Sequence, residues 1–83
     1  MEGSIWVIRF NDGSYAVTFY PVSAHDNSVT VHKLLDLPEL QNLFSSMNVT
    51  LTEEQIGMLR STKTIVINNL NPPDNILKIY GLI

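Results

Sequence analysis

The chain has 83 residues, 45% of them hydrophobic, with a net charge of −3, which suits one domain spanning residues 1–83. It has no cysteine, so disulfide staples and thiolate zinc sites are excluded. The mild acidity disfavours a nucleic-acid groove binder, which carries a basic excess.

Met1–Ser4 reads as a short frayed end. Ile5–Tyr20 reads as a β-hairpin, because Asp12-Gly13 is a strong signal for a tight turn between apolar strands. A two-residue loop there pairs Phe10 with Tyr15, Ile8 with Val17 and Trp6 with Phe19. Alternation then gathers Trp6, Ile8, Phe10, Tyr15, Val17 and Phe19 on one expected core face. A three-residue loop would mix the faces, which a half-buried sheet resists, so the even-length loop is preferred. The reverse face would carry Ile5, Val7, Arg9, Ala16, Thr18 and Tyr20, unusually apolar for a surface facing water.

Pro21 should end the hairpin, since it cannot donate to a ladder, and Ser23–Ser28 reads as a polar loop. Ser28–Leu35 is ambiguous between a short strand around Val29 and Val31 and the opening of a helical turn. A helix is expected from Asp36 to Met47. Pro38 suits its first turn, Glu39 complements its dipole, and Leu40, Leu43, Phe44 and Met47 form one apolar stripe meant for the aromatic hairpin face. Thr52 and Gln55 make a capping box for a second helix, flanked by Leu51 and Ile56 as a staple and ending near Ser61. Gly57 weakens that helix by about 1 kcal/mol relative to alanine, and the close approach of another backbone would account for a glycine there.

Thr64–Leu70 reads as a strand with Ile65 and Ile67 on one side and Val66 on the other. Asn71-Pro72-Pro73-Asp74 is a rigid break. Asn75–Ile83 alternates as a strand does, although Pro73-Asp74 could open a helical turn or two; a strand is favoured. The expected fold is a small two-layer α+β domain with an N-terminal hairpin, two central helices, one or more C-terminal strands and a mostly antiparallel sheet.

Little in the residues points to chemistry. His25 and His32 lack the spacing of a metal centre, even with Asp26 and Asp36 nearby. Glu53 and Glu54 point apart on a helix and are explained by its dipole. No nucleophile elbow, phosphate loop or dinucleotide motif is present. Asn48-Val49-Thr50 matches a glycosylation pattern by chance. No catalytic residue, cofactor or metal is therefore expected.

The chain also lacks a leader pattern and any apolar run near the roughly 18–20 residues that span a bilayer. A cytoplasmic protein with no membrane partner is the expectation. The leading functional expectation is a small non-enzymatic interaction module, an adaptor, regulator or inhibitor, that presents a sheet face or edge to a partner protein or to a second copy in a homodimer. Its contact residues would be Ile5, Val7, Arg9, Thr18 and Tyr20. The alternative is a nucleic-acid-binding module using the sheet, which requires Arg9, Lys33, Arg60, Lys63 and Lys78 to gather on one side. A small-molecule-binding domain is third.

Overall fold

The computed structural model describes residues 1–22, 31–34 and 36–83. The loop expected over Ser23–Ser28, with His25 and Asp26, lies outside the described residues. Four antiparallel strands form one sheet in the order β3-β2-β1-β4: β1 Gly3–Arg9, β2 Tyr15–Pro21, β3 Val31–Leu34 and β4 Thr64–Leu70. Helices α1 (Leu37–Ser46), α2 (Glu53–Ser61) and α3 (Asp74–Ile79) complete a two-layer α+β fold. Of the ambiguous Ser28–Leu35, the described Val31–Leu34 forms an edge strand, while Val29 lies outside the described residues. Gly3 and Ser4 are not frayed: they pair with Pro21 and Tyr20, and the Met1 ammonium donates to Pro72 O at 3.1 Å and Asp74 Oδ1 at 3.2 Å.

The hairpin register differs from the sequence expectation by one residue. Arg9 lies opposite Tyr15, Val7 opposite Val17, Trp6 opposite Thr18 and Ile5 opposite Phe19. The connection is the three-residue loop Asn11–Gly13. Phe10 N donates to Ser14 O at 2.8 Å, and Gly13 N donates back to Phe10 O at 3.0 Å. This is a type I turn closed by one left-handed residue, Gly13 at φ 86°. A two-residue type I′ turn would need positive φ at both Asp12 and Gly13, and only Gly13 has it. The Asp12 carboxylate stabilises the longer loop by accepting from Ser14 N at 2.9 Å and Ser14 Oγ at 2.6 Å.

The slip exchanges the faces. Trp6 and Phe19 lie on opposite sides of the sheet, and the inward row is Ile5, Val7, Tyr15, Val17 and Phe19, all buried. Leu34 of β3 and Ile65 of β4 extend it, and the helices close over it with Leu40, Leu43, Phe44, Leu59 and Leu77. Each fully buried aliphatic or aromatic side chain there contributes roughly 1.5–3 kcal/mol. The α1 stripe of Leu40, Leu43, Phe44 and Met47 is buried as expected, but against this row and not against Trp6, Ile8 and Phe10.

Helix starts follow their sequence signals. Asp36 caps α1, accepting from Glu39 N at 2.9 Å. Thr52 and Gln55 complete the capping box of α2 at 3.1 Å and 2.9 Å. Gly57 is not explained by a neighbouring backbone, because a Cβ there would meet open space.

The tail corrects the remaining expectation: α3 stands where a strand was favoured. Gly81 at φ 67° ends it, with Gly81 N donating to Lys78 O at 3.1 Å and Leu82 N to Leu77 O at 2.7 Å. That bonding is a Schellman cap, and its apolar partners Leu77 and Leu82 are both buried.

Candidate functional site

With one row of the sheet committed to the core, the other is left for solvent. Its β1 members are Ser4, Trp6 and Ile8, opposite Tyr20, Thr18 and Ala16 on β2, with Val66 and Thr64 of β4 beside Trp6 and Ile8. Trp6, Ile8, Phe10 and Tyr20 are each 43% exposed and Val66 is 38% exposed. Ala16 and Thr18 share the face but are buried, the small members of their cross-strand pairs. The Trp6 and Tyr20 rings meet edge to face with centroids 5.6 Å apart, so the largest groups on this surface hold one another in place.

Among the described residues every helix packs on the inward row, and none covers this one. Within β1, β2 and β4 the open face carries no charged side chain. Arg9 belongs by alternation to the opposite row, at its end, and is half-buried. An open groove of about 620 Å³ continues from the Tyr20 end of the face, and its lining includes Glu2, Ser4, Tyr20, Val22, Asn68 and Asn69. Asn69 takes φ 58°, where β4 gains one residue against β1 between the Ile5 and Gly3 pairings.

The structure divides the five residues expected at a contact surface. Ile5 and Val7 are fully buried in the core and cannot touch a partner. Arg9 sits at the end of their row, with its amide bonded to Lys63 O at 2.8 Å. Thr18 and Tyr20 are on the open face, Thr18 buried and Tyr20 exposed. Trp6, Ile8, Phe10 and Val66 are the open-face residues that sequence reasoning placed elsewhere or did not single out. The signal that could have found the first three is the Asp12–Ser14 spacing, which lets a carboxylate seize the amide two residues on.

The other candidates have structural roles. Glu53 and Glu54 lie in the first turn of α2, Asp36 is a cap, and the His32 ring meets Tyr80 edge-on at 5.9 Å. Among the described residues no group of three or more His, Asp or Glu side chains converges as a cation would require. No helix among the described residues is long and apolar enough to cross a membrane.

Comparison with known protein families, curated proteins and solved structures finds no match. The reading of function rests on the surface itself.

Lys33 of β3 stands opposite Ala16, on the register of the open face, and the cations outside the sheet do not join it there. Arg60 and Lys78 belong to α2 and α3, and Lys63 precedes β4, its Nζ donating to Asn11 Oδ1. The gathering of positive charge that a phosphate backbone needs is not formed by these side chains on the sheet.

Proposed function

We propose that the chain is a protein-interaction module whose working surface is the open face of the sheet, with Trp6, Ile8, Phe10 and Tyr20 as its contact residues. The observation that supports this is a contiguous apolar and aromatic surface, uncharged in β1, β2 and β4, on which four large side chains are each 43% exposed. Tryptophan and tyrosine are frequent anchors of protein interfaces, and depletion of charge marks the centre of such interfaces. An adaptor, regulator or inhibitor of this kind acts by occupancy and needs no reacting group.

The test is site-specific photo-crosslinking in cells. A benzophenone amino acid at Ile8 should give discrete protein adducts, whereas the same group at Glu54, exposed on the helix layer, should not. Equal labelling from both positions, or none from Ile8 in a folded variant, would remove the open face as the working surface.

A second reading, single-stranded nucleic acid stacked on Trp6 and Tyr20, is favoured only by those exposed rings. Salt-sensitive binding of an oligonucleotide that quenches Trp6 fluorescence would support it.

A further inference from the structure

The two edges of the sheet are unlike. β3 is four residues long and includes Lys33, and short length and charge are the usual means of blunting an edge. β4 has seven residues, Thr-Ile-Val-Ile-Asn-Asn-Leu, with neither charge nor proline. Its hydrogen-bonding direction follows from the register. Arg9 N reaches Lys63 O, so residues 63, 65 and 67 bond to β1 while the amides and carbonyls of Thr64, Val66 and Asn68 point outward. Among the described residues no strand takes them; Thr64 O accepts only the Thr62 hydroxyl at 3.1 Å.

We infer that the β4 edge is a self-pairing seam, joining two copies of this chain antiparallel about a twofold axis at Val66. The occupant is identified by the edge's own sequence. An antiparallel pair about a twofold axis sets each strand against its reverse. Centred on Val66, β4 places Val66 against Val66, Ile65 against Ile67, and Thr64 against Asn68. Each pair matches in kind: Ile65 with Ile67 is apolar on the inward row, and on the open one Val66 with Val66 is apolar and Thr64 with Asn68 polar. Moving the centre by one residue either way sets Val66 against Thr64 or against Asn68 and loses the match.

The outward groups of Val66 then bond each other reciprocally, and those of Thr64 and Asn68 complete the ladder. No like charges oppose across the seam. Two open faces become one continuous surface, so the pairing would enlarge the proposed working surface without depending on it. Val66 belongs to both, but the seam is made by the outward backbone groups of β4 and the working surface by the side chains of β1 and β2, so the two fail separately.

The test is sedimentation equilibrium of the full chain from about 1 μM to 1 mM, with amide exchange read at Val66. Dimer formation should slow exchange of the Val66 amide as concentration rises. Val66→Pro removes one outward donor and no bond to β1, which an edge strand tolerates. Losing the two reciprocal bonds should weaken association by about tenfold or more. Trp6→Ser should leave association unchanged.

A chain that stays monomeric throughout would overturn the seam while leaving the open face intact as a site for another protein. A dimer whose Val66 amide exchanges at the monomer rate would also overturn it, whether or not the proline variant folds. So would one abolished by Trp6→Ser but not by Val66→Pro, and that result would assign self-association to the open face.

Discussion

The two faces of the β1–β2 hairpin are nearly equal in hydrophobicity and opposite in fate. Ile5, Val7, Val17 and Phe19 are at most 1% exposed, whereas Trp6, Ile8 and Tyr20 are each 43% exposed. A hydropathy count could not tell which row the helices cover. The choice is made at the turn, where the Asp12 carboxylate and the single left-handed residue Gly13 fix how the strands meet. Greasiness makes a row eligible for the core; register decides which row enters it.

The sharpest test of this asymmetry is a charge on each side. Val7→Glu places an unpaired carboxylate among Ile5, Val17 and Phe44, a cost of several kcal/mol that takes most of the ~5–15 kcal/mol by which a domain is stable. Circular dichroism should show an unfolded chain. Ile8→Glu should remain folded, and if both variants unfold the distinction between the faces is lost.

Phe19→Ala comes next, with an expected loss of about 3–5 kcal/mol in urea unfolding from the transfer and cavity terms. A loss below 1 kcal/mol would place Phe19 outside the core. The turn is the third lever. Gly13→Ala must hold a Cβ at φ 86° and should cost about 1–2 kcal/mol without moving the strands. Ile8→Thr should be smallest, within about 0.5 kcal/mol in stability, yet it should weaken partner capture at the open face. A variant that captures its partner as the unaltered chain does would exclude Ile8 from the contact.

How much of this was legible in the residues depended on how local each cause is. The Thr52–Gln55 box, the Asp36 cap and the Leu40–Met47 stripe are decided within one or two helical turns, and they stand as their sequence implies. So does β4, whose Ile65 and Ile67 share the inward row. The C-terminal segment misled because Ile76–Ile83 alternates well enough for a strand. The overriding signal was Gly81 followed by Leu82 and preceded by Leu77, the spacing of a Schellman cap and its apolar clasp.

The hairpin misled for a different reason. Asp-Gly also serves a three-residue loop, where only the glycine takes the left-handed conformation, and both registers offer an apolar row. The preference for an unmixed aromatic row was too strong an assumption. The outer row here mixes aromatic, aliphatic and small polar side chains, Trp6, Ile8 and Thr18 among them. Two of the five expected contact residues consequently lie in the core, while Tyr20 reached the open face and Thr18 was placed there but buried.

Asn11, Asp12 and Gly13 therefore act through their chemistry and not through their number. Solvent-exposed connections ordinarily accept insertions and deletions at little cost, and here removing one residue would leave Phe10 facing Ser14 across a two-residue loop, with the same row of β1 and β2 turned to the core. Variation in length should therefore be easier to accommodate at this tip than within β1 or β2, where one added residue turns every side chain beyond it to the other face.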